Sequence, residues 1–73
     1  MQKLSLRILN NTYEIWPNYR ALILELSLFL GKAIPKESVK INDCGYDMNH
    51  ACRLYKVLVD GNHVGSLDGP LEA

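Results

Sequence analysis

The stretch that decides the fold is RALILELSLFLG, residues 20–31, in which leucine occupies every even position from 22 to 30. Such alternation suits a buried strand, but the bordering residues are typical of a helix. Asn18 can cap a helix N-terminus, Gly31 suits the left-handed position after a helix, and Pro35 prevents continuation. Because the stretch itself is rich in Ala, Leu, Glu and Arg, we predict one helix here.

A helical projection leaves two leucines outside the buried face. Six apolar side chains fall within an arc of about 120°, the width expected for packing on a sheet: Tyr19, Leu22, Ile23, Leu26, Phe29 and Leu30. Leu24 and Leu28 lie one turn apart on nearly the opposite side, beside Ala21 and flanked by Glu25. Two interpretations follow. The leucines dock on a partner protein or on a second copy in a homodimer, or a loop such as that around Tyr46 covers them.

The segment KLSLRILNNTYEIW, residues 3–16, alternates as an antiparallel hairpin. A two-residue loop at Asn10 and Asn11 would place Arg7 opposite Glu14. The same register predicts one apolar face, made of Leu4, Leu6, Ile8, Tyr13 and Ile15. It points Trp16 away from that face, so we expect Trp16 either to anchor a partner or to cover one end of the core.

The second half of the chain predicts more sheet. Val39 and Ile41 suit a short edge strand, and Asp60-Gly61 is a strong two-residue hairpin signal. That loop pairs Val57 with Val64 and leaves open which face of the hairpin is buried; the residues after position 69 are expected to be irregular. We therefore predict a two-layer α+β fold for a single domain of residues 1–73, one helix on an antiparallel sheet in the order β-β-α-(β)-β-β.

Composition argues against an electrostatic partner. Eight Lys and Arg residues balance eight Asp and Glu in 73 residues. The cations are scattered among acids, so we expect neither nucleic acid nor an anionic membrane as a partner: Lys3, Arg7, Arg20, Lys32, Lys36, Lys40, Arg53 and Lys56. With no secretion signal, no long apolar run and only two cysteines, a soluble cytoplasmic protein is expected.

The segment DCGYDMNHAC, residues 43–52, offers the only metal candidates that the sequence suggests. Cys44, His50 and Cys52, with His63 in the next hairpin, are ligand types that zinc prefers. Zinc knuckles usually place paired ligands two to four residues apart, which this spacing does not do, so we expect no metal and no cofactor. No nucleophile-elbow or phosphate-loop motif is present, so we do not expect an enzyme.

The C-terminal YKVLVDGNHVGSLDGPLEA, residues 55–73, resembles the end of the three-stranded sheet in arm-type DNA-binding domains of phage integrases, where VGSLDGPLEA looks like the entry to a helix. The resemblance implies an alternative function as a small nucleic-acid-binding accessory domain. In this hairpin Arg53 and Lys56 are the cations available to phosphates.

The function that the sequence favours is a non-enzymatic protein-binding module, an inhibitor or adaptor that occludes a partner protein. In size and in its lack of catalytic motifs the chain is similar in kind to phage anti-defence proteins, including anti-CRISPR proteins, whose partners are bacterial defence complexes. The expected partner-binding residues are Leu24, Leu28, Ala21, Trp16 and Glu25. Besides nucleic-acid binding, a metal-stabilised structural domain is the remaining alternative.

Overall fold

Five strands and one α-helix make up residues 2–49 and 51–72, the part of the chain that the computed structural model describes. The elements run in the order β1 (Leu4–Ile8), β2 (Asn11–Ile15), α1 (Tyr19–Leu30), a short 3-10 turn (Lys36–Ser38), β3 (Val39–Asp47), β4 (Cys52–Val59) and β5 (Asn62–Leu67). The predicted α+β class and the one-helix, two-layer arrangement are confirmed. The short edge strand predicted at Val39 and Ile41 is real, and it extends to Asp47.

The strands form one antiparallel sheet in the spatial order β2-β1-β5-β4-β3. The helix connects β2 to β3, which are the two edge strands of this sheet. The chain therefore has to cross the full width of the sheet between them. One helix laid on one face makes that crossing, and the second face carries no helix in the described chain.

The core lies between the helix and the face of the sheet beneath it, which we call the core face. Leu22 and Leu26, one turn apart on α1, are fully buried. The sheet and the segment after the helix supply the other buried apolar residues: Leu6, Ile8, Ile15, Ile34, Val39, Val57, Val59 and Leu67. Because strand side chains alternate, the intervening residues point to the opposite, open face.

Both predicted ends of the helix are confirmed. The Asn18 side chain accepts a hydrogen bond from the backbone N–H of Ala21 at 2.8 Å, and Gly31 ends the helix at φ 72°. The N–H of Gly31 donates to the Ser27 carbonyl at 2.9 Å. Phe29, in the last turn, was predicted to be buried and is 41% exposed, because burial centres on Leu22 and Leu26 further back. At 12 residues the helix is too short to span a bilayer, and no other described helix could do so.

The first hairpin turns one residue earlier than predicted. Its loop is Leu9–Asn10, and Arg7 lies opposite Thr12, so the predicted cross-strand pairing of Arg7 with Glu14 is wrong. The pairing moves by two positions, and an even shift leaves every side chain on the same face. The predicted apolar face therefore survives the change in register.

The first hairpin ends before Pro17. Proline has no N–H to donate and is tolerated at the end of an edge strand. In the structure the pairing ends at Leu4 and Ile15, and the N–H of Asn18 donates to the Trp16 carbonyl at 2.8 Å. The chain is thereby free to turn into the helix.

The second hairpin has the predicted Asp60-Gly61 turn, with φ values of 52° and 81°. Its pairing shifts further along, however, because Val57 lies opposite Gly65 and not opposite Val64. The extra residue in β5 is a β-bulge, which sequence alternation alone does not predict. The bulge turns Leu67 onto the core face beside Val57, and this resolves which face of the hairpin is buried.

The segment after β5 has no regular secondary structure, as expected, but it is held in place by hydrogen bonds. The N–H of Glu72 donates to the Pro17 carbonyl at 2.6 Å, and Asn18 and Glu72 form an isolated parallel bridge. Leu71 packs against the core. Hydrogen bonds to a segment far away in sequence, which no local pattern reveals, thus order the end of the described chain.

Gly65 of β5 lies close to the backbone of β1. A Cβ atom at this position would lie 2.7 Å from the backbone oxygen of Arg7. Gly65→Ala should therefore force β1 and β5 apart and lower the free energy of unfolding by about 1–3 kcal/mol, measured by chemical denaturation. The control is Gly69→Ala, whose Cβ would meet only the flexible end of the Leu4 side chain. Equal losses for the two variants would contradict this account.

Candidate functional site

The outer face of α1 carries two exposed leucines. Leu24 is 62% and Leu28 is 71% exposed, and they lie one turn apart on the side of the helix that faces away from the sheet. We call Leu24 and Leu28 the helix ridge. The predicted neighbours Ala21 and Glu25 are half-buried, and Ala21 packs against the core. Ala21 therefore lies beside the helix ridge and is not part of its exposed surface.

No described residue covers the helix ridge. The loop that was expected to cover it, around Tyr46, is instead part of strand β3, and the Tyr46 side chain is itself exposed. The interpretation of Leu24 and Leu28 as residues beneath a loop is therefore wrong for the described chain. Their exposure leaves an apolar surface on a rigid helix, whose two ends are capped.

Trp16 lies apart from the helix ridge. It follows the buried Ile15 at the end of β2, so alternation turns it toward the open face. Because Leu4 pairs with Ile15, the same register places Lys3 opposite Trp16. The Lys3 ammonium lies 5.0 Å from the centre of the Trp16 ring. Trp16 is 49% exposed. The structure therefore does not unite the predicted binding residues into one surface.

The far ends of β3 and β4, beyond the pairing of β4 with β5, form a two-stranded ribbon. A bulge between Asp43 and Tyr46 bends this ribbon. The Arg53 guanidinium donates a hydrogen bond to the Asp43 carboxylate, and that contact, followed by the N–H of Gly45 donating at 2.8 Å, holds the pKa of Asp43 below its usual value of 3.8. The same hydrogen bond raises the pKa of Arg53.

The four candidate metal ligands do not form a site in the described chain. His50 lies outside the described residues. Cys44 is exposed at the bulge, while Cys52 is half-buried on β4. His63 lies opposite Leu58, and Leu58 is six residues, or about 20 Å, along β4 from Cys52. The Nε2 atom of His63 is 2.9 Å from the Gly65 carbonyl oxygen. No group of three or more His, Cys, Asp or Glu side chains arranged to hold a metal occurs among the described residues.

The open face of the sheet has two shallow depressions that meet at Arg7 and Ser66. Their volumes are about 140 and 290 Å³, below the 300–1,000 Å³ typical of small-molecule sites. The smaller is lined by polar and apolar residues together: Ser5, Arg7, Thr12, Cys52, Leu54, Ser66, Leu67 and Asp68. An open, shallow surface of this kind suits contact with a macromolecule better than enclosure of a small substrate.

Comparisons with known proteins add no family to this description. No protein-family model, no curated protein and no solved structure matches the chain. The candidate surfaces therefore have to be interpreted from their own chemistry.

The Asp43–Arg53 contact predicts how the ribbon responds to pH. Because the pKa of Asp43 is lowered, the attraction is present above that pKa and is lost as pH falls through it. Arg53→Gln should return the Asp43 pKa toward 3.8, as measured by an NMR titration of the carboxyl carbon. Arg20→Gln, which removes a charge from the helix, should leave the titration unchanged; a pKa unaffected by either change would contradict the contact.

Proposed function

We propose that this chain is a non-enzymatic protein-binding module that docks through the helix ridge. The observation that carries the proposal is the exposure of Leu24 and Leu28 on a capped helix whose opposite side is fixed in the core. An apolar helix face presented at i and i+4 is a common mode of insertion into a groove of a partner. A rigid helix also loses little conformational freedom on binding, which favours affinity.

The partner we propose is a different protein with an apolar groove, and not a second copy of the chain. Burying two leucine side chains removes on the order of 200 Å² from water, whereas a stable interface needs about 800 Å² on each side. Two ridges packed against each other would therefore supply too little area. A groove that wraps around the helix can also bury its flanks.

The flanks of the ridge indicate the polar chemistry of such a groove. Arg20 is exposed and Glu25 is half-buried, and in the helical projection they lie on opposite sides of Leu24. A groove with an apolar floor and an acidic rim near Arg20 would complement this arrangement. Charged rims of this kind fix orientation and partner choice more than they add affinity.

The biological role we propose is occlusion of a partner surface in the cytoplasm, as an inhibitor or adaptor of the anti-defence or anti-CRISPR kind. The shallow depressions of the sheet support a role that needs only contact. The comparison with anti-CRISPR proteins is one of size and of missing catalytic motifs. The partner complex would be identified by the experiment that follows.

Leu24→Glu combined with Leu28→Glu should leave a folded protein that has lost its partner. Both side chains are exposed, so the change should alter the free energy of unfolding little, whereas Leu22→Ala or Leu26→Ala should cost about 2–5 kcal/mol. The matched control is Gln2→Glu with Asn49→Glu, which adds the same charge at exposed positions outside the helix. Thermal unfolding monitored by circular dichroism provides the check on folding.

Binding is measured in two steps. Proteins from a bacterial lysate that the wild type and the control variant retain, but the Leu24→Glu, Leu28→Glu variant does not, are purified and their Kd values determined. Sedimentation velocity tests self-association in parallel. A wild-type dimer that the double variant abolishes would show that the ridge binds a second copy, and unfolding of the double variant would place both leucines in the core. Either result overturns the proposal.

A further inference from the structure

The register of the sheet assembles one row of polar side chains across all five strands on the open face. Thr12 lies opposite Arg7, Arg7 opposite Ser66, Ser66 opposite Lys56, and Lys56 opposite Asn42. Directly opposed residues in an antiparallel sheet point to the same side. Alternation with the buried residues Leu6, Ile8, Val57 and Leu67 fixes that side as the open face. We call these five residues the polar row.

Two of the five residues of the polar row are cations, and a third cation lies beside it. Arg7 and Lys56 flank Ser66, which places them two strand spacings, about 10 Å, apart. Lys40 precedes Asn42 by two positions on β3 and therefore points to the same face. Residues 7, 40 and 56 are far apart in the sequence. The strand order brings them together on one face, so the cluster cannot be recognised from the sequence.

Acidic groups lie at the margins of this cluster. Glu14 is on the edge strand β2, opposite Ser5. Asp68 follows β5, and its Oδ1 accepts the backbone N–H of Ser5 at 2.9 Å. Asp47 lies at the far end of β3, where its Oδ1 accepts the N–H of Asn49 at 3.0 Å. Asp60 lies in the β4–β5 turn, where its N–H donates to the Ser38 carbonyl at 2.9 Å, two positions before Lys40. Between these margins the charged open-face residues of β3 and β4 are Lys40 and Lys56.

Apolar side chains flank the cations along β4. Leu54 and Leu58, two positions before and after Lys56, are half-buried on the open face. His63, opposite Leu58, is exposed beside them. A basic surface with ring-bearing side chains binds a phosphate backbone and the faces of its bases at once, and His63 supplies a ring on this half of the face.

We propose that the open face binds single-stranded nucleic acid across the polar row. Lys40, Lys56 and Arg7 would contact phosphates, the hydroxyl and amide groups of Ser66 and Asn42 would donate hydrogen bonds, and Leu54 and Leu58 would contact bases. The sequence alone predicted no nucleic-acid partner, because its cations are scattered along the chain. It uses the face opposite the helix ridge and is independent of the protein-binding role.

The width of the sheet favours a single strand over a duplex. Five strands at about 4.8 Å spacing make a surface about 19 Å across, whereas the major groove of B-DNA is about 12 Å wide. A flat surface of this width cannot enter the groove, so its side chains would not reach the base edges of a duplex. A single strand can lie along the row with its phosphates toward the cations.

The test is fluorescence anisotropy with a short labelled oligothymidine at about 50 mM salt, followed by a salt series. Three phosphate contacts predict a slope of log K against log salt of about −2. Lys40→Gln with Lys56→Gln should weaken binding on the order of tenfold. Arg20→Gln with Lys32→Gln removes the same charge from exposed positions outside the open face and should change the affinity little.

Four results would overturn the inference. These are no binding at low salt, equal weakening by the two charge-removing pairs, tighter binding to a duplex of the same sequence, and equal binding to a polyglutamate peptide. NMR shift mapping of the wild-type protein with the oligonucleotide provides a readout that needs no variant. The changes should centre on residues 7, 40, 56 and 66 and spare the helix.

Discussion

The contact between β1 and β5 is the constraint on which the rest of the structure depends. It consists of two register pairs, Leu6–Leu67 and Arg7–Ser66, and it joins the first hairpin to the three-stranded unit of β3, β4 and β5. Gly65 makes it possible, because any Cβ there would meet the β1 backbone. The contact completes the core face beneath the helix, and it also brings the two halves of the polar row together. The core, the helix that carries the helix ridge and the polar row therefore all depend on the contact between β1 and β5.

Local chemistry explains why part of the fold could be predicted from the sequence. Asn18 and Gly31 mark the helix ends through hydrogen bonds within a few residues, and helical periodicity places Leu24 and Leu28 outside the buried face. The α+β class follows from the helical and strand periodicities together. These predictions need only patterns that are local in the sequence.

Register and face in the sheet depended on contacts between segments distant in sequence. The first hairpin turns at Leu9–Asn10 and not at Asn10–Asn11, so its pairing differs from the predicted pairing by two positions. The bulge at Val64 changed the face of Leu67, and the cluster of Arg7, Lys40 and Lys56 exists only because β5 lies between β1 and β4. The net charge of zero therefore does not indicate how charge is distributed between the two faces of the sheet.

The β1–β5 junction also has a consequence for the order in which the chain folds. Ser5 and Asp68, bonded across its end, are 63 positions apart in the sequence. Each hairpin and the helix can form from nearby residues, whereas the junction requires closure of nearly the whole chain before it returns any stabilising contact. We expect the transition state for folding to contain the β4–β5 hairpin and to lack this junction. Until it closes, the facing sides of β1 and β5 expose unpaired backbone groups, so association between partly folded chains would begin there.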